Sequence, residues 1–237
     1  MLLHHITGHA NRQNWFAVAV EFVILIIGVF LGIQVANWND ARKDLFLSEE
    51  YLYRLHNELT VISASTQRAT EERQSTSERL NELRDYFDTP TEAFEFSPEH
   101  CAAIARSHIY AGEIAMPPSI DELMSTGRIL LIEDENVRTA IGEFAQMISG
   151  ARQLRRDLQI DRLPLARKHP SLVRLGPEGW QATICDLEGM RNSSSFLNDF
   201  VDNRRRYNAF METVMWRQVS EQSELLGSLS AVLITSE

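Results

Sequence analysis

Cysteine, proline and glycine are scarce in this chain of 237 residues, which has 2 Cys, 7 Pro and 11 Gly. Cys101 and Cys185 form no C-x-x-C and no zinc pattern. Two interpretations stay open: a disulfide if the domain lies outside the cytoplasm, or buried thiols if it lies inside. There is no Walker loop, no dinucleotide fingerprint and no G-x-S-x-G, so the sequence predicts no cofactor and no catalytic residue.

Positive charge is also in deficit, with Lys+Arg 23 against Asp+Glu 33 and a net charge of −10. Before residue 37 the only charged side chains are Arg12 and Glu21, which cancel, so the whole excess belongs to the rest of the chain. Nucleic-acid binding requires clustered Lys and Arg. The composition therefore predicts no nucleic-acid partner, and it disfavours a domain lying flat on anionic lipid.

The chain does contain one long apolar run, residues 16–36, with Glu21 as its one charge and Gln34 as its one amide. As a helix it would span about 31 Å, close to the thickness of a hydrocarbon core of roughly 30 Å. Trp15 and Trp38 flank it, as indoles do at the two interfaces of a membrane. We interpret it as a transmembrane helix. A signal peptide has a shorter apolar region and a small residue where this chain has Gln34.

The apolar helix has one small and polar face. Gly28 and Gly32 form G-x-x-x-G, which lets another helix approach closely, and Glu21 lies on the same face two turns earlier. With Gln34, these residues are the predicted packing positions toward a second copy or another membrane protein. The alternative interpretation is that Glu21 only reaches back to the interface.

The orientation of this helix is predicted from its flanks. Arg42, Lys43 and Arg54 follow it, and counting positive charges alone would place the large domain in the cytoplasm. A short tail of residues 1–15 before a single helix is typical of a signal anchor with an exported C-terminal domain. We favour export.

Residues 40–237 are predicted to form a soluble helical domain. Residues 40–87 contain no Pro or Gly and carry a heptad-like apolar stripe that weakens at Arg73 and Thr76. Four further helices are expected: at 98–113, from Ser119 to Gly127, from 133–135 to Arg162, and at 194–233. We interpret the Ser119 hydroxyl as a helix cap. Residues 164–180 are expected to form a linker. Strand signals are few. The predicted fold class is all-α, with the membrane helix continuing into a long helix followed by an antiparallel bundle.

Candidate chemistry is sparse. His100, Cys101 and His108 lie close together but lack a second ligand pair for a metal. His5 and His9 have helical spacing, although we interpret them as interfacial polar residues. Three basic clusters could hold an anion, but surface ion pairs are the favoured interpretation: Arg152, Arg155 and Arg156; Arg162, Arg167 and Lys168; and Arg204, Arg205 and Arg206. The segment 115–128 is where we expect a site, because irregular segments often carry function.

These residues resemble a family. Gln13-Asn14, an acid at Glu21, and the sequence IGVFLGIQVANWN at 27–39 are similar to the N-terminus of an uncharacterised family of bacterial single-pass membrane proteins. DELMSTG at 121–127 followed by Leu131-Ile132 resembles its second block. The resemblance implies a protein of the bacterial envelope and inner membrane, and it implies no activity. We therefore expect a membrane-anchored, non-enzymatic module for oligomerisation or partner binding. The alternative is a ligand-sensing bundle that signals through the membrane helix.

Overall fold

The computed structural model describes residues 15–89 and 93–235. These residues divide into two compact units, with the boundary between Glu50 and Tyr51. The protein is all-α apart from one β-hairpin, and its first helix, α1 (Trp15–Asp88), contributes residues to both units.

In the first unit, the apolar side chains of α1 between residues 18 and 46 are exposed. Val29, Leu31 and Ile33 are each more than half exposed. An 18-residue window of this stretch has a mean hydropathy of 2.6 and is 0% buried. This part of α1 is long and apolar enough to cross a membrane.

The second unit is a helical bundle whose core includes the later part of α1. The predicted stripe is buried at Leu52, Leu55, Leu59, Leu80 and Leu83. Burial of each such side chain contributes roughly 1.5–3 kcal/mol, so apolar spacing explains why this part of α1 packs into the bundle.

The remaining elements of the bundle follow in chain order. They are α2 (Pro98–Arg106), α3 (Pro118–Ser125), a 3-10 helix (Arg128–Leu131), α4 (Glu135–Ile160), α5 (Leu165–Lys168), β1 (Val173–Gly176), β2 (Gly179–Cys185), α6 (Leu187–Arg191), α7 (Ser194–Phe210), a π-helix (Met211–Trp216) and α8 (Arg217–Thr235).

Polar side chains set the antiparallel register between α1 and the C-terminal helices. Going along α1, Ser77 Oγ donates to Asn208 Oδ1 at 2.8 Å and Gln74 Oε1 accepts from Trp216 Nε1 at 3.0 Å. Nearer its beginning, Thr66 Oγ1 accepts from Gln218 Nε2 at 3.3 Å. The partner numbers rise as the α1 numbers fall. Because a sliding helix would break these bonds, they specify one alignment.

Three predicted helices differ from the structure. Helix α2 ends at Arg106 rather than near Glu113, because the chain turns at 107–108 and the irregular segment that follows is held by distant side chains. Arg152 Nη2 donates to Ile114 O at 3.1 Å and Arg155 Nη1 donates to Gly112 O at 2.6 Å. The last helix contains a π-helical turn at Met211–Trp216. Ser119 does not cap α3, because it lies inside the helix, which begins at Pro118; its Oγ accepts instead from Arg54 Nε at 2.7 Å.

The predicted linker 164–180 instead contains α5 and most of a β-hairpin. Strands β1 and β2 are antiparallel, with Val173 paired to Cys185 and Gly176 paired to Gly179. Gly179 has φ 98°, a left-handed conformation that favours glycine. At Gly176 a side chain would collide with the backbone of Ala182. An isolated hairpin is marginally stable, so its contacts with the helices matter.

Cys101 of α2 and Cys185 of β2 are joined in a disulfide, with Cα atoms 5.8 Å apart and a sequence separation of 84. Of the two alternatives left open by the sequence, the structure contains the bridge. It fastens the hairpin to α2.

Candidate functional site

The segment 115–128, where the sequence predicts a site, packs on the part of α1 at 51–58. Helix α3 presents Ser119 and Glu122 toward α1, and Gly127, with φ 72°, turns the chain into the 3-10 helix that begins at Arg128. We call the side chains that meet here the Glu122 network; its members are Tyr51, Arg54, Glu58, Ser119, Glu122 and Arg128.

Glu122 is the centre of this network. Tyr51 Oη donates to Glu122 Oε1 at 2.5 Å, and Arg54 forms an ion pair with Glu122 Oε2. Arg128 Nη1 donates to Tyr51 Oη at 2.7 Å and also reaches Glu122 Oε1 at 3.4 Å. The Ser119 backbone N–H donates to Glu58 Oε2 at 2.9 Å. Two carboxylates are thus matched by two guanidinium groups.

These contacts keep Glu122 ionised. Hydrogen bonds from Tyr51 and Arg54 lower the pKa of the Glu122 carboxyl, and the hydrogen bond to Glu122 raises the pKa of Arg54. A carboxylate with a lowered pKa is a poor general base near neutral pH. Since its partners already occupy both oxygens, the network supports a structural role, holding the segment 115–128 against α1.

The predicted packing residues of the membrane helix all lie on the exposed part of α1. Glu21, Gly28, Gly32 and Gln34 are exposed. A Cβ added at Gly28 or Gly32 would meet nothing within 4 Å. Trp15 is 80% exposed and Trp38 is 67% exposed. The single chain therefore leaves the glycine face open for another helix.

Of the residues that we considered for metal binding, Cys101 and His100 have other partners, whereas His108 Nδ1 is buried without a hydrogen-bond partner. Cys101 is in the disulfide. His100 Nδ1 accepts from the Ser97 N–H at 3.1 Å, and His100 Nε2 lies 2.8 Å from Glu82 Oε2. Across the described residues, no group of three His, Cys, Asp or Glu side chains is arranged to hold a metal. His5 and His9 lie outside the described residues.

Most side chains of the basic clusters contact protein atoms. Besides Arg152 and Arg155, which hold backbone carbonyls, Arg156 donates to Gln153 and Arg204 donates to Asn81. Lys168 pairs with Asp199 at 2.8 Å, and Arg206 pairs with Asp202 at 2.8 Å. The two ion pairs agree with the interpretation of these clusters as surface ion pairs. The hydrogen bonds from Arg152 and Arg155 to backbone carbonyls were not predicted.

A second polar cluster, which we call the Arg106 pocket, was missed by sequence reasoning. It is a cavity of about 250 Å³, and the side chains that define its chemistry are Arg73, Thr76, Arg106, Trp180 and Tyr207. They come from α1, α2, β2 and α7. The signal that could have located it is the weakening of the α1 stripe at Arg73 and Thr76, where polar residues interrupt an otherwise apolar helix face.

No family model matches this chain, and neither a curated protein nor a solved structure matches it.

Proposed function

We propose that this chain is a membrane-anchored, non-enzymatic helical module that associates with a second copy or with another membrane protein. The observation that carries the proposal is the stretch of α1 before residue 36, which is apolar, exposed and long enough to cross a bilayer. Exposed apolar surface of this extent is unfavourable in water. A lipid bilayer is the environment that suits it, so the bilayer is the first partner.

We further propose that the bundle lies outside the cytoplasm, in the bacterial envelope. The disulfide between Cys101 and Cys185 supports this location, because such bonds persist in oxidising compartments. The resemblance of residues 27–39 and 121–127 to a family of bacterial membrane proteins points in the same direction. An inner-membrane anchor with a periplasmic bundle accommodates both observations.

The proposed contact surface is the face of α1 that carries Glu21, Gly28 and Gly32. Both glycines leave open space where a partner helix could approach. Close approach of two backbones increases van der Waals contact, which drives helix association in lipid. A carboxyl group at Glu21 could then form a hydrogen bond across the interface.

The test is the double variant Gly28→Leu/Gly32→Leu in the full chain, purified in a neutral detergent. We expect the oligomer, or the complex with a co-purifying membrane protein, to dissociate, as measured by size-exclusion chromatography with light scattering. The matched control is Val29→Leu/Ile33→Leu, which has the same spacing but lies about 100° around the helix. Unchanged size and unchanged partners in the glycine variant would refute the proposed contact surface.

The alternative function, a ligand-sensing bundle that signals through the membrane helix, is favoured by one observation. The Arg106 pocket brings two arginines to a cavity in the bundle, and a sensor requires such a site. The sensor and the association module are compatible, since ligand binding can shift an association equilibrium.

A further inference from the structure

The Arg106 pocket is formed by elements that are far apart in sequence. Arg73 and Thr76 lie on α1, Arg106 is the last residue of α2, Trp180 lies on β2 and Tyr207 lies on α7. The disulfide between Cys101 and Cys185 fastens β2 to α2 and so holds the indole near the guanidinium. The pocket is therefore assembled by tertiary structure, at the surface of the bundle.

Arg106 carries an unmatched positive charge. Its Nη2 donates to Thr76 Oγ1 at 3.0 Å, while its Nε is buried and has no hydrogen-bond partner. Within residues 15–89 and 93–235, neither Arg106 nor Arg73 forms an ion pair. The one described hydrogen bond from the Arg73 side chain goes to Ala69 O of its own helix at 2.8 Å. Buried donors are normally satisfied, so the Arg106 Nε without a partner is an unusual feature.

The rest of the lining limits the ligand. Ile109, Ala111 and the Trp180 indole provide apolar surface, and Glu72 contributes a carboxylate that disfavours a second negative charge. A planar guanidinium matches a carboxylate. Cavities of about 150 Å³ already admit benzene, and this one measures about 250 Å³. We propose that the Arg106 pocket binds a small organic monocarboxylate, with the carboxylate on Arg73 and Arg106 and the apolar body against Trp180.

Tyr207 supports the same assignment. Burial raises the pKa of its phenol, so the hydroxyl stays neutral at physiological pH and is available to donate. Its hydrogen bond to Arg73 O is long at 3.5 Å, and the hydroxyl also has a hydrogen-bond interaction with the Thr76 side chain. A carboxylate oxygen would be a stronger acceptor for this hydroxyl than the carbonyl it now meets.

The experiment is calorimetric titration of the full chain, in neutral detergent, with phenylacetate. We expect saturable binding that phenylacetamide, its neutral analogue, does not reproduce. Arg106→Gln and Arg73→Gln should each weaken binding by at least about tenfold, the usual effect of losing a charge-assisted hydrogen bond. Arg106→Lys should bind between the wild type and Arg106→Gln. The control is Arg205→Gln, which removes an exposed arginine that has no ion pair.

Circular dichroism and the unfolding midpoint will show whether each variant folds. Arg73→Gln keeps the test decisive if Arg106→Gln unfolds, since Arg73 donates only to its own helix. Equal binding of phenylacetamide, tighter binding of inorganic phosphate, or no loss of affinity in the folded variants would each overturn the proposal. So would an absence of binding by the wild type. The site does not depend on helix association, so the Gly28 and Gly32 variants should retain phenylacetate binding whatever their oligomeric state.

Discussion

Glu122 illustrates how single residues organise this bundle. Its carboxylate accepts hydrogen bonds from the Tyr51 phenol and the Arg54 guanidinium of α1, and both bonds lower the pKa of Glu122. The segment that contains it has Pro117, Pro118 and Gly127, which oppose continuous helix. The side-chain contacts of the Glu122 network hold this segment against α1.

This arrangement predicts a pH dependence. Because the pKa of Glu122 in the folded state is below its unfolded value, about 4.3, its charge stabilises the fold above that pH. The contribution is lost as the pH falls through the lowered pKa. We expect Glu122→Gln to lower the thermal unfolding midpoint at pH 7 and to have progressively less effect in acid, as followed by circular dichroism.

Asp121→Asn is the matched control for this measurement. Asp121 is the exposed neighbour of Glu122 on α3, so its variant should melt close to the wild type at both pH values. A difference between Glu122→Gln and the wild type that persists in acid would show that charge is not the source of the stabilisation.

At the scale of secondary-structure elements, the stability of the hairpin formed by β1 and β2 depends on its contacts with the helices. It has a single strand pair and a bulge between Arg174 and Gly176, so its own hydrogen bonds are few. The disulfide to α2 and the packing of buried Val173 hold it against the helices.

We therefore predict that Cys101→Ser/Cys185→Ser lowers the free energy of unfolding by about 2–5 kcal/mol, because the unfolded chain loses a long covalent loop. Urea denaturation in neutral detergent will measure it. Proteolysis should also begin in the hairpin, near Pro177 and Glu178. Reductant should destabilise the wild type and leave the double variant unchanged; equal stability of the two proteins without reductant would contradict this account.

At the scale of the whole molecule, the orientation of α1 across a membrane would determine the compartment of the bundle. The long apolar stretch of α1 is compatible with either orientation. The disulfide favours export of the bundle.

Reporter fusions at the C-terminus will test this orientation. We expect alkaline phosphatase fused there to be active and a fluorescent protein fused there to stay dark. In the same cells, a thiol-reactive polymer should label Cys101 and Cys185 only after denaturation and reduction. A fluorescent, phosphatase-negative fusion would place the bundle in the cytoplasm and remove the oxidising compartment that the disulfide requires.

The sequence by itself determined the helical class, because apolar spacing and the absence of Pro and Gly from 40–87 specify α1 without reference to other elements. It also indicated the apolar stretch, the beginning of α2 at residue 98, the beginning of α4 near residues 133–135, and the turn at Gly127. These features depend on residues near one another in the chain, where propensity and periodicity act.

Tertiary structure decided the rest. The end of α2 at Arg106 depends on Arg152 and Arg155, which capture carbonyls about forty residues away. The hairpin depends on a cystine partner 84 residues distant, and the Arg106 pocket gathers residues from four elements. Such contacts follow from which surfaces meet, and a local pattern does not contain that information. In the sequence, Arg73 and Thr76 are visible as polar residues that interrupt an apolar helix face. Only the fold shows that Arg106 and Trp180 lie beside them in one pocket.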